Sequence, residues 1–160
     1  MCVWGGEHTK CRLKLEALSN PTDEIDRIKQ IAELSFLRDI RFLDAIPYDE
    51  RDIKRNIDAY VDDCNGKMYG NYFKGILVGF IEVVENLETK HGVIRLAAVD
   101  EKYRMTGSAM SLYTGVVMRY RAEGFHSLTG RISSRNMPVM NLYAALGAKF
   151  SEPLDIYGKA

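Results

Sequence analysis

Residues Val99-Asp-Glu-Lys-Tyr-Arg104-Met-Thr-Gly107-Ser-Ala109 leave an apolar strand and enter an amphipathic helix through a turn suited to holding an anion. A helix start exposes unpaired backbone N–H groups and the positive end of its dipole, so a phosphate or pyrophosphate binds there without dedicated side chains. Gly107 lets a ligand approach the backbone closely, Arg104 adds a charge able to reach a phosphate oxygen, and the small Ser108 and Ala109 leave the first helical turn uncrowded. The same turn could also serve only to reverse the chain, so its neighbours decide.

Other reactive side chains say less. Cys2, Cys11 and Cys64 are odd in number and lack metal-ligand spacing, which reads as free thiols in a reducing cytoplasm rather than a disulfide scaffold or zinc site. His8, His91 and His126 fall in or beside turns or a terminal strand and read as solvated imidazoles.

The elements that position the turn follow from periodicity. His8 to Glu16 alternates as a strand, and Ser19 to Asp23 supplies turn and cap chemistry. Ile25, Ile28, Ala32 and Phe36 predict a helix over 23–37; Ile53, Ile57, Tyr60, Val61 and Cys64 predict another over 49–63. The aromatic, charged connection 38–48 between them could shape a pocket. Strands are expected at 68–73, 74–84 and 92–99, the middle one apolar on both faces and therefore central. A helix over 107–123 carries a stripe of Ala109, Leu112, Tyr113, Val116, Val117 and Tyr120 and stops at Gly124. A strand at 127–132, a helix at 137–146 closed by Gly147 and a last strand at 149–157 complete an α/β order around a mixed sheet.

The 160 residues suit one domain, 1–160, with no repeat or linker. Twenty-two basic and 22 acidic residues cancel, so no basic field exists for nucleic acid or an anionic membrane. A small-molecule or protein ligand is favoured. The N-terminal residues do not resemble a signal peptide, and the longest apolar run, 75–81, is too short to span a bilayer. A soluble, cytoplasmic protein is expected.

Arg104-Met-Thr-Gly107-Ser-Ala109 matches (Gln/Arg)-x-x-Gly-x-(Gly/Ala), Ile132-Ser-Ser-Arg-Asn136 follows about 25 residues on, and Asn136 is succeeded seven residues later by Tyr143 and then Leu146-Gly147-Ala148. In this order the motifs resemble the GNAT superfamily of acetyl-CoA-dependent N-acyltransferases over about 67–159. The resemblance implies the GNAT fold, an α/β (α+β) architecture whose central mixed, mostly antiparallel sheet is flanked by helices on both faces. Many relatives carry Pro where this chain has Glu101 and Gly at Met105 and Ala109; Met105 takes a left-handed backbone less freely than Gly.

The resemblance also implies a reaction: an amine attacks the acetyl thioester directly, with acetyl-CoA as co-substrate and no metal. Met105, Thr106, Gly107, Ser108 and Ala109 would hold the pyrophosphate with Arg104, against the alternative of a plain helix start. The pantetheine arm would pair with Leu96, Ala97, Ala98 and Val99, whose backbone N–H could polarise the thioester carbonyl; a wholly paired strand is the alternative.

Tyr143 would protonate the leaving thiolate, since a phenol with a pKa of about 10 is protonated at neutral pH. Seven residues is almost two helical turns, so Asn136 shares nearly its face and could bond the pantetheine or orient the phenol. A half-buried core aromatic and a helix cap are the alternatives. Glu82, the only charge within an otherwise apolar strand, could take the amine's proton through a water, or simply face solvent or pair with a Lys.

The acceptor is least legible. Phe36-Leu-Arg-Asp-Ile-Arg-Phe42-Leu-Asp44 and Gly147-Ala148 resemble N-acetyltransferases of dTDP-linked 4-amino-4,6-dideoxy sugars. Another small amine, a protein N-terminus, or non-catalytic acyl-CoA binding are the other readings. The family often dimerises through sheet edges, so a homodimer is an option.

Overall fold

Why the sheet is built as it is can be seen at its centre. The structure, a computed structural model, describes residues 13–17, 21–37, 39, 42 and 49–152. Among them the strands β1 (Leu13–Ala17), β2 (Lys67–Phe73), β3 (Ile76–Asn86), β4 (His91–Val99) and β5 (Ser127–Gly130) form one sheet in sequence order. The strand expected to be central, β3, is the middle one. Lys74 and Gly75 close the β2–β3 hairpin with φ of 50° and 80°, the paired left-handed conformation of a two-residue turn that follows the sheet's twist. The first three pairings are antiparallel and β4–β5 is parallel, which requires a crossover.

Helices cover both faces. On one lie α1 (Ile25–Phe36), preceded by a 3-10 turn over Pro21–Glu24, and α2 (Glu50–Asp62), capped by the Asp49 carboxylate on the Arg51 N–H. Ile28, Ile31, Ala32, Ile53, Ile57 and Val61 meet Leu77, Phe80, Leu96 and Ala98 there. Tyr60 and Cys64, expected in the core, are only half buried. On the other face α3 (Ser108–Ala122) forms the β4–β5 crossover and buries Leu112, Tyr113, Val116 and Tyr120 against Tyr69, Ile81, Val83 and Val99. The short α4 (Met137–Ala145) adds Leu142, Tyr143 and Leu146 to this second core. The mixed, mostly antiparallel sheet between two helical layers is the fold expected.

Helix ends fall where the chemistry directs. Gly124 and Gly147 take φ of 77° and 78° just past α3 and α4, the left-handed closure that a side chain would strain. Differences lie at the margins. Residues 21–24 form a 3-10 turn, β5 ends at Gly130, and 149–152 have no regular structure; most of the connection 38–48, the segment 8–12 and the end of the expected last strand lie outside the described residues.

Candidate active site

One extra residue in β4 shapes the strand edge. Glu82 faces Leu96 and Val83 faces Ile94, so Arg95 is the inserted residue of a β-bulge. The bulge reverses the strand's alternation. Ile94 belongs to the core beneath α3, as do Ala97 and Val99, whereas Leu96 and Ala98 point to α1 and α2.

The neighbouring strand parts at the same place. β5 pairs with β4 only from His91 to Ile94, ending at Gly130. The Asp100 N–H bonds the Val78 carbonyl at 2.8 Å, and antiparallel alternation then turns Ala98 and Leu96 toward β3. Ala97 and Val99 consequently present their N–H and C=O groups to the edge that β5 has left. At that edge the Arg104 Nε donates to the Val99 carbonyl at 3.1 Å, while its Nη2 reaches the Ser35 hydroxyl of α1 at 3.1 Å.

From Val99 the chain enters the turn identified in the sequence. Glu101–Thr106 is a 3-10 turn capped by the Asp100 carboxylate on the Lys102 N–H. Asp100 also pairs with Arg27 of α1. Burial pushes the Asp100 carboxyl up, but the Lys102 and Arg27 hydrogen bonds and charges outweigh it and hold it below the usual value. Met105 does not adopt a left-handed backbone: it lies within the 3-10 turn and is 97% exposed. The left-handed step falls on Gly107, at φ 79°, where an added β-carbon would meet nothing.

No side chain caps the α3 start, so its first N–H groups remain available to an acceptor. Below it, the fully buried Asn71 Nδ2 donates to the Ser108 carbonyl at 2.9 Å and lies 3.0 Å from its hydroxyl. Asn71 had no sequence signal, because its partner is 37 residues away on another element.

Tyr143 reaches the same fork. A β-carbon built at Gly130 would stand 3.1 Å from the Tyr143 hydroxyl and 3.5 Å from the Ile94 β-carbon. The phenol therefore lies against the last paired residues of β4 and β5. Its ring packs edge-on against Tyr113, with centroids 5.2 Å apart. Burial raises the Tyr143 pKa, partly opposed by hydrogen bonding with Tyr113. Asn136 caps α4, its Oδ1 accepting from the Val139 N–H at 3.4 Å, which leaves its amide nitrogen as the group able to meet a ligand.

Glu82 sits on the opposite face. It is fully buried, where the sequence left open a solvent-facing carboxylate or a lysine partner. Its Oε2 accepts from the Arg95 Nε at 2.7 Å and its Oε1 from the Asn65 and Gly66 N–H groups at 3.3 and 3.2 Å. Arg95 stacks at 4.0 Å over the Tyr60 ring and bonds the Tyr60 carbonyl. The bulge is thereby tied to the end of α2.

Among the described residues no cluster of His, Cys, Asp or Glu could hold a metal, and no helix is long and apolar enough to cross a membrane.

Comparison with known proteins bears on the family and the fold. Residues 27–148 match the model of the acetyltransferase (GNAT) family. No curated protein sequence matches. Similar solved structures include an aminoglycoside acetyltransferase, meta-AAC0020, from an uncultured soil metagenomic sample, in complex with trehalose. Its TM-score is 0.66 at 17% identity, covering 96% of this chain and 99% of that one. The ribosomal-protein-S18-alanine N-acetyltransferase of Escherichia coli gives 0.61 at 16% identity, covering 84% and 76%. Aminoglycoside N-acetyltransferase AAC(6')-Iy in complex with CoA gives 0.60 at 13% identity, covering 98% of each. At such identities the likeness is one of fold.

Proposed function

The chain belongs to the acetyltransferase (GNAT) family, and from that premise we propose that residues 1–160 form one domain that transfers an acetyl group from acetyl-CoA to a primary amine by direct attack. The observation that carries the reading is the convergence at one fork of the Ala97 and Val99 backbone, the uncapped start of α3 and the Tyr143 hydroxyl. The residues present fit acetyl-CoA: Met105 is fully exposed, Gly107 borders open space, and the strand edge offers both donors and acceptors.

In this reading Leu96, Ala97, Ala98 and Val99 form the wall along which the pantetheine amides pair, with Ala97 and Val99 supplying the hydrogen bonds. Met105, Thr106, Gly107, Ser108 and Ala109 present the N–H groups and dipole that hold the pyrophosphate. Arg104 leaves the Val99 carbonyl to join them, so one side chain exchanges an internal acceptor for a charged one. Asn136 offers its amide nitrogen to the pantetheine. An N–H of the β4 edge polarises the thioester carbonyl as negative charge develops there.

Tyr143 gives its proton to the departing sulfur. Burial keeps the phenol protonated, and Gly130 gives it room. Glu82 takes a different part from that of a base acting through a water. Enclosed by Arg95, Asn65 and Gly66, it holds the bulge, and the amine's proton leaves through water.

For the acceptor we favour an amino sugar, nucleotide-linked as the 36–44 segment suggests. The two aminoglycoside acetyltransferases of similar fold support an amino-sugar class, and the S18-alanine enzyme keeps a peptide N-terminus as the second reading. Coenzyme A release, followed over nucleotide-linked amino sugars, aminoglycosides, simple amines and Ala-initiated peptides, tests this choice. Turnover greatest with an amino sugar is expected. Preference for the peptides would replace it, and acetyl-CoA binding without turnover on any amine would favour a non-catalytic module.

A further inference from the structure

Arg27 belongs to the first turn of α1, outside every motif that points to the cofactor, yet its side chain ends at the turn that follows β4. All three guanidinium nitrogens are engaged. Nε donates to the Leu77 carbonyl of β3 at 3.0 Å, Nη1 to the Gln30 side chain at 2.6 Å, and Nη2 to the Asp100 carboxylate at 2.5 Å, 73 residues away in the chain. The two oxygens of that carboxylate have separate tasks. Oδ2 accepts from Arg27, while Oδ1 accepts from the Lys102 N–H at 3.0 Å and so starts the 3-10 turn over Glu101–Thr106. α1 meets the same turn again where the Ser35 hydroxyl holds Arg104.

Resting on the reading of this turn as the pyrophosphate cradle, we infer that Arg27 is a positioning residue for the cofactor. It fixes and neutralises the Asp100 carboxylate, so the path to Gly107 and α3 is set before an anion arrives and presents no opposing charge.

Charge and geometry both require such a partner. Asp100 is buried, which disfavours its charge, but the Lys102 N–H and Arg27 outweigh burial and keep the carboxylate ionised at neutral pH. The exposed neighbours Glu101 and Lys102 offset each other, leaving Asp100 as the charge to be answered. Six residues of 3-10 turn, a rise of about 12 Å, separate it from Gly107. Over that distance an uncompensated carboxylate repels a pyrophosphate at low ionic strength, where the Debye length reaches about 30 Å. Arginine also answers the geometry. A planar fork anchored on the Leu77 carbonyl presents Nη2 in one direction, which holds the carboxylate with Oδ1 turned to Lys102.

Calorimetric titration with coenzyme A at low ionic strength, beside steady-state kinetics, tests the inference. Arg27→Met should raise the Kd for coenzyme A and the KM for acetyl-CoA about tenfold, with kcat at saturation within about twofold because the fork is untouched. Adding Asp100→Asn removes the stranded charge and keeps an oxygen for the Lys102 N–H, so the double variant should return to within about threefold of wild type. A merely structural salt bridge would lower melting temperatures without this loss and recovery of affinity. Wild-type affinity in Arg27→Met, or a double variant as weak as the single one, overturns the role of Arg27 alone; no binding of coenzyme A by the wild type overturns the underlying reading of the turn. If Arg27→Met does not fold, Arg27→Gln is compared with Arg27→Lys, which keeps the charge. Weaker binding by the glutamine variant is expected, and equal affinity of the two overturns the inference.

Discussion

The Tyr143 hydroxyl and Gly130 share one space: a β-carbon at 130 would stand 3.1 Å from the phenol oxygen. Gly130 has an ordinary strand backbone, so its need for glycine arises from this neighbour rather than from φ. A phenol moved by even an ångström loses the alignment that proton donation requires.

Gly130→Val should therefore act on chemistry more than on folding. Its backbone suits valine, but the side chain displaces the phenol. We expect kcat to fall about 100-fold, with acetyl-CoA affinity within about threefold. Calorimetric titration beside steady-state kinetics checks this, and equal losses in affinity and kcat would contradict it.

Asn71→Ala removes the tie between β2 and the first residue of α3, taking a donor from both the Ser108 carbonyl and its buried hydroxyl. Stability should fall by about 1–3 kcal/mol. The KM for acetyl-CoA should rise while kcat at saturation is kept, since the cradle loosens and the fork does not. Thermal melts and kinetics read the two effects separately.

Arg95→Met leaves the Glu82 carboxylate buried and uncompensated. Loss of one partner of a buried pair costs about 3–5 kcal/mol, so denaturant midpoints should drop markedly. Replacing Glu82 by Gln should destabilise less, because the amide oxygen still accepts from Asn65 and Gly66. If Glu82→Gln keeps full stability but loses all turnover, Glu82 acts on the amine and the bulge-holding role is wrong.

Acid stability should depend on Asp100. Its folded pKa lies below the unfolded value, so its contribution is fully present above the ordinary carboxylate range and disappears as pH falls through the depressed value. Wild type should exceed Asp100→Asn in melting temperature at pH 7, and the gap should narrow toward pH 2. A gap that is constant with pH would contradict the assignment.

The sequence made some relationships legible and hid others for physical reasons. Periodicity identified α1, α2 and α3, because each buries a face with a regular spacing, and a run apolar on both faces identified the central β3. The turn before α3 was visible because its residues are contiguous. The Glu82–Arg95 pair was hidden: a carboxylate in a strand reads as facing solvent, and its partner is set by a bulge that only pairing reveals. Met105 looked difficult in a loop where relatives use glycine, yet a 3-10 turn followed by left-handed Gly107 removes the need. The contact of the Tyr113 and Tyr143 rings was hidden because the two lie 30 residues apart, on α3 and α4.

A crystal structure with acetyl-CoA bound measures the central claim most directly. The account predicts the pyrophosphate on the N–H groups at the start of α3, the pantetheine amides on Ala97 and Val99, Arg104 withdrawn from the Val99 carbonyl, and the Tyr143 hydroxyl within about 3.5 Å of the sulfur. Acetyl-CoA bound away from the fork, or Arg104 still on Val99 with the sulfur far from Tyr143, would contradict it.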